Sequence, residues 1–222
     1  LLTVLVGNAV YGRVTYWLME WQLIGHVVLA GLGTYVLLRW LGTTVAAALA
    51  GATVYEVGAF FASQTQHLGA VSGAGWLPWL LAALYRVEKR RDWSAAALAA
   101  VVLALMILPG FPPTYLPALV FGPLLYLQWM WQRNPRWQWR PHARALGLLC
   151  AVVALALLLT AVSWLPGYQV GKHSLATLRP PSQALDGLAP EAATSFFWPN
   201  LFNQLRGDYW LKENTTFLHL YQ

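Results

Sequence analysis

The sequence predicts an all-α, polytopic membrane protein, and three observations carry that expectation. Of 222 residues, 58% are hydrophobic and only 10% are charged, against about 25% charged in soluble domains. Several apolar runs approach or exceed the roughly 20 residues that cross a hydrocarbon layer. The cations fall in alternate connections between those runs. An outer-membrane barrel would instead alternate in polarity over segments of about ten residues, and no stretch of this chain does.

The elements follow in order. Residues 1–13 are apolar but too short to span, as a remnant of an earlier helix or an interfacial segment would be. The first span covers 14–38, carries Glu20, Gln22 and His26 in its first half, and ends at Arg39-Trp40. A cation beside an aromatic is a headgroup anchor. The second span, 45–62, opens on Ala46, Ala47, Ala48, Ala50 and Gly51, small residues that let helices pack closely in lipid. A polar corner follows at 63–67, Ser-Gln-Thr-Gln-His, and then the small residues Gly69, Ser72, Gly73 and Gly75.

The third span, 68–85, is interrupted at Pro78 and stops at Arg86-Val87-Glu88-Lys89-Arg90-Arg91-Asp92, which reads as a charged loop. The fourth, 93–108, breaks at Pro109-Gly110-Phe111-Pro112-Pro113, where the fixed φ of proline stops a helix. The fifth, 114–131, holds Pro117 and Pro123, which kink or bend it. A basic, tryptophan-rich loop spans 132–144, and the sixth span, 145–165, ends at Pro166-Gly167. The expected architecture is therefore a bundle of about six transmembrane helices over 1–165, followed by an outer, extramembrane segment over 166–222.

Loop charge sets the orientation. Loops 39–44, 86–92 and 132–144 hold Arg39, Arg86, Lys89, Arg90, Arg91, Arg133, Arg136, Arg140 and Arg144, while 63–67 and 109–113 hold no Lys or Arg. By the positive-inside rule the first set is cytoplasmic, and 63–67, 109–113 and 166–222 are extracytoplasmic. A label on Gln138 is expected to react only from the cytoplasmic side and one on Ser182 only from outside; the reverse pattern would overturn the topology. Cations divided among short membrane loops are topogenic and lipid-contacting, not a nucleic-acid surface. The single cysteine, Cys150, excludes an intrachain disulfide.

The ionisable residues within spans then collect toward the outer face. Glu20, Gln22 and His26 lie in the outer half of the first span and Glu56 in the outer half of the second. If helix persists, Glu56, Phe60, Ser63 and His67 share one face at i, i+4, i+7 and i+11. A charged group costs about 2.5–3.5 kcal/mol at the hydrocarbon centre, so such residues pair or line a cavity. Glu20 alone is satisfied by reaching the headgroups, and His26 by Gln22 one turn earlier. Glu56 and His67 converge with Gln64 and Gln66, and that favours a binding site. His26, His67, His173 and His219 lack any metal-ligand spacing, so no metal site is expected from the residues.

At this point a family resemblance enters. The run His26-Val-Val-Leu-Ala30-Gly31-Leu-Gly33-Thr-Tyr35-Val-Leu-Leu-Arg39 resembles the third-helix region of the bacterial YfhO-type membrane proteins. Residues 55–83, with the corner at 64–67 and Trp76-Leu77-Pro78 beyond it, look like that family's next hairpin. Pro109-Gly110-Phe111-Pro112-Pro113-Thr114-Tyr115 is similar to its glycine-histidine-proline-glutamine turn. Trp164-Leu165-Pro166, with Ser174 and Arg179 beyond, resembles its exit into a large outer region, and Glu213 and Tyr221 sit where the family often has a glutamate and a tyrosine.

The resemblance implies a GT-C-type glycosyltransferase with a polyprenyl-phosphate sugar donor, an outer-face active site, and a place in the bacterial inner (cytoplasmic) membrane. It implies that Glu56, Gln64, Gln66 and His67 contact the donor's phosphate or sugar. Tyr115, His173 and Arg179 would approach from other outer loops, Arg179 pairing phosphate bidentately, with Glu20 and His26 in a second tier. A divalent metal is an implied cofactor. Two departures stand out. Phe111 and Pro113 occupy the turn where the family usually has histidine and glutamine, and the family's catalytic acid lies in an outer loop ahead of the matching region. The chain thus reads as a fragment lacking that loop, a cavity wall without an assigned catalytic residue.

The competing reading is a non-catalytic accessory subunit of a larger membrane complex, energy-transducing or photosynthetic. Its tryptophans and small-residue faces would pack on other subunits, lipids or pigments, and His26 or His67 would ligate a chlorophyll-type magnesium.

Overall fold

A computed structural model describes residues 16–133 and 139–172, and these residues are helical throughout apart from short connections. The helices are α1 (Tyr16–Trp40), α2 (Val45–Glu56), α3 (Ala59–Ser63), α4 (Leu68–Arg90), α5 (Trp93–Ile107), α6 (Pro112–Arg133), α7 (Trp139–Leu159) and α8 (Ala161–Lys172). The described residues fall into two units, divided after Pro166. Among the described residues, four stretches are long and apolar enough to cross a membrane: α1, α2 with α3, α4, and α7. That composition marks a multi-pass membrane protein. Helix α5 is apolar but only 15 residues long, and α6 has 22 residues with polar ends.

Four local expectations are corrected. The second span is not one helix, because it breaks at Val57-Gly58. The Val57 N–H closes on the Thr53 carbonyl at 2.9 Å, and a Cβ at Gly58 would lie 2.9 Å from the Val54 carbonyl. Only glycine allows so tight a fold-back there. The shared face proposed for Glu56, Phe60, Ser63 and His67 is therefore lost.

The expected charged loop 86–92 is mostly helix, since α4 runs on to Arg90. Only Arg91, in the left-handed region at φ 52°, and Asp92 connect α4 to α5. Pro78, expected to interrupt the third span, lies inside α4 without ending it, and Pro117 and Pro123 lie inside α6. Prolines are tolerated in membrane helices where neighbours re-satisfy the freed carbonyls. Finally, the sixth span ends at Leu159, and α8 continues through Pro166, where a helix end had been expected. The break follows Thr160, whose hydroxyl donates back to the Ala156 carbonyl at 2.8 Å.

Asp92 caps α5. Its carboxylate accepts the Ala95 N–H at 2.8 Å and the Ser94 hydroxyl at 2.8 Å. Those two bonds, the backbone one first, hold its carboxyl below the usual carboxylate range. A lowered pKa means the cap acts fully above the unfolded value and fades as pH falls through the folded one. Asp92→Ala is expected to lower the thermal midpoint slightly at neutral pH, while Asp92→Asn keeps most of it. Melting curves in detergent at neutral and acidic pH check this, and the wild type and the alanine variant should converge in acid.

Helix α4 is the hub, packing on α1, α5, α6 and α7, while α1 carries α2 and α5 meets α7. The main core joins Leu80, Leu84 and Val87 of α4 to Ala96, Ala99, Leu103 and Met106 of α5, with Tyr126 of α6 and Leu148 and Val152 of α7. A smaller cluster of Ala30, Phe61, Val71 and Ala74 lies between α1, α3 and α4. Close approach depends on missing side chains: Gly75 of α4 faces the His26 carbonyl of α1, and Gly33 of α1 faces the Trp79 indole. The Trp79 N–H donates to the Leu29 carbonyl at 2.8 Å. Outward, Leu49, Val54, Val120, Phe121 and Leu158 are exposed, as suits residues solvated by lipid tails.

Candidate functional site

The polar corner is built by two helix ends. Gln64 ends α3, its N–H donating to the Phe60 carbonyl at 3.0 Å, and its carbonyl accepts the His67 N–H at 2.9 Å. His67 then starts α4, its carbonyl taking the Ala70 N–H at 2.8 Å. The His67 imidazole makes no capping bond and stacks on Phe111, with ring centroids 5.9 Å apart and planes 27° apart.

Phe111 belongs to the turn between α5 and α6. Gly110 adopts φ 73°, and the Phe111 carbonyl accepts both the N–H and the hydroxyl of Thr114, at 3.1 and 2.8 Å. Thr114 rests on Gly73, and Gly69 faces the Pro109 carbonyl and the Phe111 Cβ. Corner and turn are thereby one structure. Tyr115, half-buried, packs against the main core just past the turn. Among the expected site residues, Gln64 and His67 stand at this corner with Gln66 exposed in the same connection, while Tyr115 follows the turn and faces the core.

Glu56 belongs to a second group, on the α1–α2 side. Its half-buried carboxylate covers Gly31 of α1, where a Cβ would overlap it. The neighbouring Tyr55 hydroxyl donates to the Ala74 carbonyl at 3.0 Å, tying α2 to α4. His26 donates from Nδ1 to the Gln22 carbonyl at 2.7 Å, and the Gln22 amide reaches the Ser72 hydroxyl at 3.4 Å. Glu20 is exposed on the first turns of α1. His173 and Arg179 lie outside the described residues.

Chemically, the corner offers two amides and an imidazole beside an aromatic face. That set suits hydrogen bonding to an oxygen-rich ligand and stacking against a ring. A divalent ion takes several oxygen ligands. Glu56 turns onto Gly31, and no group of three His, Cys, Asp or Glu among the described residues is placed to hold a metal. The residues present do not form such a set. A cavity of about 10 Å³ between α4, α5, α6 and α7 is lined only by apolar side chains such as Leu80, Leu103, Pro123 and Val152. It has room for about one water and holds no polar partner for a substrate.

The opposite end carries a polar cluster that the sequence reading missed. Glu88 is only 1% exposed and pairs with Arg91 at 3.0 Å and Arg133 at 3.4 Å. The Arg133 guanidinium also donates to the carbonyls of Glu88 and Lys89, at 2.6 and 3.0 Å. Arg91 reaches across to the Pro141 carbonyl at 3.1 Å. The buried His142 ring stands edge-on to Trp131, and the Tyr126 hydroxyl donates to the Ala145 carbonyl at 3.1 Å. Helices α4, α6 and α7 are thus joined by charge and hydrogen bonds. The available signal was spacing: Leu80, Leu84 and Glu88 recur at i, i+4 and i+8 on the core face of α4.

No family model matches the chain, and no curated protein or solved structure matches it significantly.

Proposed function

We propose that this chain forms the donor-side wall of an integral membrane glycosyltransferase of the YfhO-like, GT-C type, using a lipid-linked sugar at the outer face of the bacterial cytoplasmic membrane. The observation that supports this most is the stacking of His67 on Phe111, which makes one polar site of two segments that the sequence keeps over 40 residues apart. In this reading Gln64, Gln66 and His67 bind the donor's phosphate or sugar, and Tyr115 flanks them. Glu56, Glu20 and His26 shape the α1–α2 side. His173 and Arg179 belong to the expected extracytoplasmic segment 166–222 and lie outside the described residues, and α5 and α6 act as the shorter fourth and fifth of six spans. The Phe111 departure from the family pattern then supplies a stacking surface where a second imidazole would otherwise stand. No residue of this chain is assigned the acceptor-activating role.

An alternative is a non-catalytic subunit of a larger membrane complex. The exposed face of α2, with Ala46, Ala50, Leu49 and Val54 outward, is what supports it, since small and apolar residues pack other helices in lipid.

His67→Ala and Gln64→Ala in the full-length protein are expected to cut sugar transfer from a polyprenyl-phosphate donor at least about tenfold, equivalent to about 1.4 kcal/mol of lost binding. Both variants should keep the wild-type melting midpoint. Undiminished transfer would remove these residues from the site. A wild-type protein without transfer that co-purifies with other membrane proteins would favour the subunit.

A further inference from the structure

Around the ends of α4, α6 and α7 the described cations are Arg86, Lys89, Arg90, Arg91, Arg133, Arg140 and Arg144, against the carboxylates Glu88 and Asp92. Those two acids are already engaged. Glu88 is held by Arg91 and Arg133, and Asp92 by the α5 cap and by Arg90 at 3.4 Å. Lys89, Arg140 and Arg144 are exposed and have no carboxylate partner among the described residues. Arg140 and Arg144 stand four residues apart on one face of α7, where like charges repel. The bond from Arg91 to the Pro141 carbonyl brings the end of α4 against the start of α7, and the bond from Arg133 to the Lys89 carbonyl brings the end of α6 to the end of α4. The helix ends that carry Lys89 and the Arg140–Arg144 pair are therefore neighbours.

Three exposed tryptophans, Trp93, Trp131 and Trp139, stand at the same end. Indole rings settle at headgroup depth. A positive excess at that depth, beside membrane-length helices, matches the phosphate of a membrane lipid carrying net negative charge.

We propose that Lys89, Arg140 and Arg144 form a seat for the headgroup phosphate of an anionic phospholipid, which joins α4 to α7 from outside as the Glu88 pairs join them from within. The bound lipid is a structural partner of this end of the bundle, independent of what the opposite end binds.

The test compares the full chain in vesicles of phosphatidylcholine alone and of phosphatidylcholine with about 30% phosphatidylglycerol. The melting midpoint of the wild type is expected to rise by about 5 °C in the anionic vesicles. Arg140→Gln with Arg144→Gln should lose more than half of that rise, whereas Arg140→Lys with Arg144→Lys should retain most of it. Arg39→Gln, at the end of α1, should leave it unchanged. If the double glutamine variant fails to fold, Lys89→Gln alone is read against the same lipids and should show a reduced rise. Equal midpoints in the two vesicles, or a rise untouched by these variants, overturns the proposal. So does an equal rise produced by inorganic phosphate in phosphatidylcholine vesicles, which would make the site one for a free anion.

Discussion

Replacing Glu88 with alanine is expected to destabilise the bundle by about 3 kcal/mol or more, the scale for breaking a buried ion pair from one side. Glu88 is 1% exposed and the Arg91 side chain 13% exposed, so the arginine would be left with a buried charge and reduced compensation. Arg133 contributes less, because its side chain is 42% exposed and water screens it. Glu88→Gln should fall between wild type and alanine, keeping the shape and part of the hydrogen bonding. Unfolding in mixed micelles measures the difference. A loss under about 0.5 kcal/mol, the range of ordinary surface substitutions, would show that the pair does not hold α4, α6 and α7 together.

The second large effect concerns Gly75. A Cβ there would lie 2.9 Å from the His26 carbonyl, a backbone atom that cannot turn aside. Gly75→Leu must push α1 away from α4, weakening the Gln22–Ser72 and Trp79–Leu29 contacts together. Overpacking of this kind costs about 1–3 kcal/mol or more. Gly51→Ala is the informative contrast, since its Cβ meets only the end of the Leu38 side chain, which can rotate. Gly147→Ala meets nothing and should stabilise by a few tenths to about 1 kcal/mol through helix propensity. A Gly75→Leu variant as stable as Gly147→Ala would refute the close α1–α4 crossing.

The all-helical, membrane-length character was legible because it depends on composition and run length, which need no tertiary information. The polar corner was legible too, as a short hydrophilic stretch between apolar ones. Its partner was not. Nothing local marks Phe111 as the surface on which His67 lies, because the pairing arises from how α4 and α5 return alongside each other. The Val57-Gly58 break was hidden for a related reason: an apolar run reads the same whether its helix is continuous or folded back. Glu88 reads in the sequence as part of a charged loop because its neighbours are cations. Its burial depends on arginines that arrive from α6 and from the turn itself, and periodicity along α4 alone gives only its direction.

Arg91 shows how this matters beyond stability. A residue with a Cβ in the left-handed region carries a local cost, here at the reversal between α4 and α5. Its guanidinium is held by Glu88 beside it and by the Pro141 carbonyl, 50 residues later in the chain. During synthesis the α4–α5 hairpin therefore emerges with its reversal incompletely tethered. The second anchor exists only once α7 has been made and inserted. The pair of helices at the centre of the bundle is laid down before α6 and α7, and its turn becomes fully fixed only after them.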